Sequence, residues 1–508
     1  MLGLVPSASL LGIDGHAVTV EVHISSGLPS FTVVGSPDAS CREARDRVRA
    51  ALLSSGCEWP MRRVTVNLAP PTVRKVGPGL DLAIAVAMLV ASEQVTQEAV
   101  GDRSFLGELG LDGTVRPVAG TLCLTDALGS GALVLPVPSA VEAGLVGDRI
   151  LHPVRTLAEV VACLRDDEPW PRPGPVAATA PPPAGPDLAD VRGQPVARFA
   201  LEVAAAGGHH LLLLGPPGAG KTMLAARLPG VLPPLSDGEA LETTRVHSAA
   251  GLALPKGGLI RTPPFRAPHH GASSVALVGG GTALLRPGEI SSATNGVLFL
   301  DELAEFTPRV LDALRQPLEE GVVRVARAVA SVSLPARFLL VAAMNPCPCG
   351  YGSRPGGCRC SEAARARYAR RLSGPLLDRF DLRVEVTRPS VDDLLGHESG
   401  EPSRVVASRV AEVRDLALLR GVRTNAEIPA SRLDEVAPLS TDATRLLTDV
   451  LRSGRLSARG LHRVRRVART VADLSGAPHE IGPAHVATAL GLRVDTSRGQ
   501  HAASELTG

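Results

Sequence analysis

The stretch HHLLLLGPPGAGKTMLAARL, residues 209 to 228, constrains the fold more than any other part of the chain. Four consecutive leucines read as a buried strand, G-x-x-x-x-G-K-T follows directly, and a helix-forming segment comes next. A strand buried on both faces and followed by a helix belongs to a parallel sheet covered by helices, so this part of the chain must be α/β. Within the loop, Gly215, Gly218 and Gly220 let backbone N–H groups approach phosphate oxygens, with Pro216, Pro217 and Ala219 completing the turn. Lys221 is placed to reach β- and γ-phosphates and Thr222 to hold Mg²⁺. Among 53 basic residues only Lys75, Lys221 and Lys256 are lysine, so an ammonium retained at 221 agrees with that role.

Three further segments supply polar groups at strand ends. GVLFLDELAEF (296–306) is an apolar strand ending in two carboxylates. Asp301 suits a Mg²⁺ ligand and Glu302 the base that polarises an attacking water. FLLVAAMNP (338–346) is another apolar strand, with Asn345 at its tip to orient that water. SGPLLDRFDLRVEV offers Arg379, and LSARGLHRVRRVARTVADL is a basic helix with Arg459, Arg463 and Arg466 on one face. EGVVRVARAVASVSLPARF reads as a hairpin before the Asn345 strand. Its Arg324 and Arg327 are either phosphate contacts or ordinary exposed charges. The spacing between the loop and Asp301 leaves room for an insert over roughly 245–285.

Half of the eight cysteines fall in CPCGYGSRPGGCRC, residues 347 to 360. Cys347, Cys349, Cys358 and Cys360 form two C-x-C pairs, with Gly350, Gly352, Gly356 and Gly357 letting the loop turn. Structural Zn²⁺ on four thiolates, reduced thiols and disulfides all remain open, since C-x-C is tighter than the usual C-x₂-C knuckle. Four thiolates leave no position for water, which argues against a catalytic metal. Cys41, Cys57, Cys123 and Cys163 lie in apolar surroundings and read as core residues.

Residues 166–187, DDEPWPRPGPVAATAPPPAGPD, are too rich in Pro and Ala to pack and read as a semi-rigid linker. Before it, residues 1–165 read as an α+β domain. VTVEVHI (18–24) and VTVNL (64–68) are alternating strands, and DLAIAVAMLVA (81–91) is an apolar helix. A further helix begins after Ser36 as cap and Pro37, burying Ala44, Val48, Ala51 and Leu52. A hairpin turns at Asp112-Gly113. RKVGPGLDLAIAVAML and FLGELGLDGTVRPVAG in this region resemble the proteolytic domain of Lon proteases. The position of that family's nucleophilic serine is Gly79 here, and its lysine position falls near Leu122, so hydrolysis of a peptide bond has no nucleophile. Lys75 reads either as an anion contact or as a solvated lysine.

Taken together, the loop, the Asp301 strand, the Asn345 tip, Arg379 and the basic helix resemble an AAA+ ATPase. PFRAPHH, GGGTALLRPGEISSATNGVLFLDELAEF, QPLEEGVVRV, ARFLLVAAMNPCPCG and RLSGPLLDRFDL narrow the resemblance to the magnesium-chelatase-like branch and, over nearly the full length, to the ComM/YifB family. It implies a core over 188–390, a helical lid over 391–495 and a tail over 496–508. It also implies Arg379 as an arginine finger acting on a neighbour's ATP, Arg459 as lid sensor with Arg466 as alternative, and a homo-hexameric ring. The family's link to natural transformation implies a motor on single-stranded or branched DNA that promotes branch migration. The competing expectation is a remodeler of a protein partner docked through the N-terminal domain.

Composition bears on these alternatives. A net charge of +2 gives no global basic field, and 2% aromatic residues offer few stacking platforms, so DNA would be gripped by a few local residues. No run approaches the roughly eighteen apolar residues of a membrane span, and MLGLVPSASLLGIDG lacks a basic region and a cleavage-like site. A soluble cytoplasmic protein is expected, with no membrane partner.

Overall fold

The computed structural model of the chain describes residues 1–174, 185–281, 285–326, 331–351, 358–395, 400–477 and 479–494. Arg327, Gly352, Gly356, Gly357, the middle of the linker and the tail lie outside the described residues.

The first strands are β1 (Leu2–Leu11), β2 (Asp14–Ser25), β3 (Ser30–Val34) and β4 (Arg63–Ala69), ordered β1-β2-β4-β3. Helices α1 (Ala39–Ser54) and α2 (Asp81–Ala91) pack on one face of this sheet. All eleven residues of α2 are buried, which is why its sequence is apolar all round rather than striped. Asp81, the exception, is 1% exposed and receives Arg47 Nε at 2.6 Å, while burial raises its pKa to about 6. The expected face of α1 is buried as Ala44, Val48, Ala51 and Leu52, but the cap differs. Asp38 accepts the Cys41 N–H at 2.8 Å, and Ser36 stands outside the helix at φ 62°. Two cap-type residues flank Pro37, and the carboxylate takes the position next to the first turn. Lys75 is neither solvated nor open to an anion: it is fully buried and donates to the Pro70 carbonyl. Cys41, Cys57, Cys123 and Cys163 are buried, as expected.

The start of the linker packs after all. Trp170 lies against His152 at 5.0 Å between ring centroids and under the Arg103 guanidinium at 4.8 Å. At the other end Asp187 accepts the N–H groups of Ala189 and Ser403.

The second sheet is built from β5 (Leu211–Leu214), β6 (Phe265–Arg266), β7 (Val297–Leu300), β10 (Leu339–Met344) and β11 (Leu382–Glu385), and a separate hairpin of β8 (Val322–Ala326) with β9 (Ser331–Pro335) stands between β7 and β10 in the chain. Its order is β6-β7-β10-β5-β11, every pair parallel. The supposed insert thus contributes an edge strand of this sheet: Phe265 pairs with Val297 and Arg266 with Leu298. Two residues are too short a run to show periodicity.

Helices cover both faces. α3 (Pro195–Gly207) lies under the sheet, and α7 (Ser403–Leu419) meets it through Arg409 on Glu202 at 2.6 Å. α4 (Lys221–Ala225) follows the glycine loop, and α5 (Asp237–Ala250) joins the sheet to the N-terminal half. On α5 the Ser248 carbonyl accepts Gly120 N–H at 2.9 Å, and Arg245 reaches Asp126 at 2.6 Å. α6 (Glu362–Arg370) precedes α7, and α8 (Thr441–Arg452), α9 (Ala458–Leu474) and α10 (Pro483–Gly491) complete the helical C-terminal region. Among the described residues no helix is long and apolar enough to cross a membrane.

Candidate nucleotide site

Parallel strands all end on one edge of their sheet, so the loops after β5, β7 and β10 are brought together by topology alone. After β5 the chain turns through Gly218 and Gly220, at φ 75° and 88°, conformations that cost a side-chain-bearing residue energy. Gly215 has a different reason: a Cβ there would lie 2.1 Å from the Val386 carbonyl oxygen on the continuation of β11.

Lys221 Nζ donates to the carbonyls of Gly215 at 2.7 Å and Pro216 at 3.0 Å, and to Asn345 Oδ1 at 3.1 Å. The tip of β10 therefore touches the lysine of the loop. Burial lowers the pKa of Lys221, with Asp301 and Glu302 working the other way. Thr222 Oγ1 donates to Asp301 Oδ2 at 2.7 Å, so the two expected Mg²⁺ ligands face each other. A hydroxyl and a carboxylate form a hard oxygen donor set that fits Mg²⁺.

Glu302 is one of six non-glycine residues at positive φ among the described residues, with φ 51° and ψ 47°. A left-handed residue at the end of a strand turns the side chain out of the sheet, and such strain gathers at functional sites. Its carboxylate, half exposed, stands 3.2 Å from His270 Nδ1. His270, Gln194 and Arg388 are site residues that spacing did not reveal. Gln194 reaches the Ala219 carbonyl at 3.2 Å, and Arg388 reaches that of Pro217 at 3.3 Å. His270 was visible only as part of PFRAPHH, and nothing local in the sequence aims it at Glu302.

The arginines occupy the other edge. Asp381 N–H donates to the His210 carbonyl at 3.1 Å, which puts the start of β11 beside the start of β5. Arg379 lies just before this point, ion-paired with Glu319. Arg463 donates to the Arg379 carbonyl at 2.9 Å and to Asp381 at 2.8 Å. Arg466 donates to the Ile428 carbonyl at 2.8 Å. Arg459 is exposed at the start of α9, close enough to Arg379 to depress its basicity together with Arg463 and Arg315, after burial as the largest cause. A cleft of about 1110 Å³ opens here, lined by Arg379, Arg463, Arg466, Arg414, Arg423 and Glu319. The five-residue step from His210 to Gly215 along β5 measures about 16 Å at the usual strand rise, so Arg379 and Lys221 stand on opposite edges. The structure brings together Lys221, Thr222, Asp301, Glu302 and Asn345, and separately Arg379, Arg459, Arg463 and Arg466.

The cysteines follow Asn345. The Sγ atoms of Cys347, Cys349, Cys358 and Cys360 all lie within 4.8 Å of one another, and none is in a disulfide. In the hairpin, Arg324 pairs with Glu320.

A parallel sheet with a glycine loop, a carboxylate pair and a polar tip on one edge, followed by a helical region, defines an AAA+-type P-loop ATPase. Family models agree along the chain. Residues 187–394 match "Magnesium chelatase, subunit ChlI", 20–136 match "Subunit ChlI of Mg-chelatase", and 400–493 match "Magnesium chelatase, subunit ChlI C-terminal". An uncharacterized protein of Mycobacterium tuberculosis is 47% identical over 504 residues, 98% of this chain and 99% of its own. The competence protein ComM of Haemophilus influenzae is 44% identical over 499 residues, 97% of both chains. The uncharacterized protein YifB of Escherichia coli is 44% identical over 480 residues, 93% of both. The chain belongs to the ComM/YifB family of magnesium-chelatase-like AAA+ ATPases.

Proposed function

We propose that this chain is the subunit of a homo-hexameric ATP-driven DNA motor that promotes branch migration during DNA uptake or recombination. The observation that supports a shared site is the topology: Arg379 lies one strand length from the glycine loop of its own chain, farther than an arginine side chain extends. A neighbour in a ring supplies it instead. The near full-length likeness to competence protein ComM of H. influenzae supports DNA as the substrate.

In this reading Lys221 and the loop N–H groups hold the β- and γ-phosphates, and Asn345, tied to Lys221, orients a water in line with the γ-phosphorus. Glu302 takes the proton of that water as its oxygen bonds to the γ-phosphorus. The bond from that phosphorus to the bridging oxygen breaks, and ADP leaves with the electron pair. Thr222 and Asp301 would hold Mg²⁺, which neutralises charge on the phosphates when bound. Arg379 of one subunit, with Arg459 and Arg466 on the same edge, meets the charge developing on the neighbour's γ-phosphate. The N-terminal domain, with Gly79 at the serine position, is a non-catalytic Lon-like module, and the four cysteines hold a structural Zn²⁺.

A second reading, a motor that remodels a protein, is favoured by one observation. Leu28 and Met61, 88% and 70% exposed, stand on adjoining loops of the N-terminal sheet as an apolar docking point. The ATPase rate titrated with single-stranded, duplex and branched DNA at fixed salt separates the two. Saturable stimulation that vanishes in Lys221→Ala supports the DNA motor, and hydrolysis indifferent to every DNA overturns it.

A further inference from the structure

We infer that the cysteine cluster is a zinc-filled clamp on the nucleotide site, so that the glycine loop and Asn345 hold their positions only in the zinc-loaded chain; the coupling rests on the ATPase reading above. Four thiolates at a Zn–S distance of about 2.3 Å form a tetrahedron whose edges measure about 3.8 Å. Cys358 Sγ stands 3.7 Å from both Cys347 Sγ and Cys349 Sγ, close to that edge. The Cys347–Cys349 pair, at 3.3 Å, is the tight C-x-C step and opens slightly around a metal. All of these separations are far from the roughly 2.05 Å of a bonded pair.

Two contacts carry the cluster's position to the nucleotide site. Gly350, between the two C-x-C pairs at φ 84°, packs against the glycine loop so closely that a Cβ would lie 2.5 Å from Pro217 Cδ. Cys347 is two residues from Asn345, whose side chain receives Lys221, and the buried Tyr368 of α6 lies close to both. Cys360 leads through the Ser361 cap into that same helix. Binding Zn²⁺ thus ties two segments that meet the loop, the tip of β10 and the Gly350 turn, to the start of α6. No role in the hydrolytic step is implied, since all four positions around the metal are taken by sulfur.

The test uses the full-length protein purified under reducing conditions, with zinc measured by elemental analysis and nucleotide affinity by a fluorescent ATP analogue. About one zinc per chain is expected, with Co²⁺ in its place giving the absorption of a tetrahedral thiolate site. Cys358→Ser/Cys360→Ser should lose the metal and bind nucleotide about tenfold more weakly, with its far-UV circular dichroism intact. Gly350→Ala should keep the metal yet lose a similar factor, because the new Cβ pushes Pro217. Lys221→Ala should keep the metal and lose nucleotide, and unchanged binding there would overturn the ATP-site reading while leaving the zinc result standing. A zinc-free protein with four titratable thiols in the cluster overturns the metal. Unchanged nucleotide affinity in both the zinc-free and the Gly350→Ala protein overturns the clamp.

Discussion

Replacing Lys221 by alanine separates what the residue does for the fold from what it does for the ligand. The residue is 8% exposed, and its ammonium has three acceptors: two loop carbonyls and Asn345 Oδ1. Charge-assisted hydrogen bonds contribute about 1.5 to 3 kcal/mol each, but removing the lysine also removes the cost of burying its charge. The freed carbonyls face the loop opening and can turn to water. A net folding loss of about 1 to 2 kcal/mol follows, a fall in Tm of about 1 to 3 °C. ATP loses far more, because the phosphates lose the one ammonium in their cradle. Two charge-assisted contacts are worth about 3 to 5 kcal/mol, a weakening of about a hundredfold to several thousandfold. Fluorescent-nucleotide titration beside a thermal melt measures both. Binding within about threefold of the native protein, with the fold intact, would refute the assignment of Lys221 to the phosphates.

Other expectations follow from the same geometry. Glu302→Gln keeps the shape of the side chain but not its basicity, so it should bind ATP, fail to hydrolyse it and accumulate as assembled rings; normal turnover would move the base elsewhere. His270→Ala frees the Glu302 carboxylate, and kcat should fall about tenfold with little change in KM, as expected for a positioning residue. A shift in KM alone would contradict that role. Acid should weaken the fold at the arginine edge. Although burial works against ionisation there, the Asp381 carboxyl is held below the usual carboxylate range by His209 and Arg463, while burial pushes His210 down to about 4. The unfolded chain therefore binds more protons as pH falls below about 6.5, first through His210 and then through Asp381, and stability declines in that direction. Tm should fall from pH 7 to pH 4.5, less steeply in His210→Gln; an equal slope in both proteins would count against it.

Much of this site was written in local spacing. Four leucines before a glycine loop, and VLFL before Asp301, specify strands whose carboxyl ends must converge once the sheet is parallel. The helix at 81–91 was bounded correctly because an unbroken apolar run stops at Ser92. Contacts made by the folded side chains were hidden. Nothing near Lys75 in the sequence shows that a carbonyl five residues away takes its ammonium, nor that His270 meets a carboxylate thirty-two residues on. Trp170 reads as linker from its proline neighbours, yet it packs because a single aromatic ring found an apolar surface and a guanidinium. The two-residue strand β6 carries too little pattern for any periodicity to reveal, and its place in the sheet comes from pairing with β7.

The claim that joins these observations is that each ATP site is completed by the arginine edge of a neighbouring subunit. Mixing Arg379→Ala subunits with Lys221→Ala subunits, each inactive alone, tests it directly. A shared site predicts that mixed rings regain part of the ATPase rate, because some interfaces pair an intact glycine loop with an intact Arg379. Mixtures that assemble yet stay as inactive as either variant would contradict it.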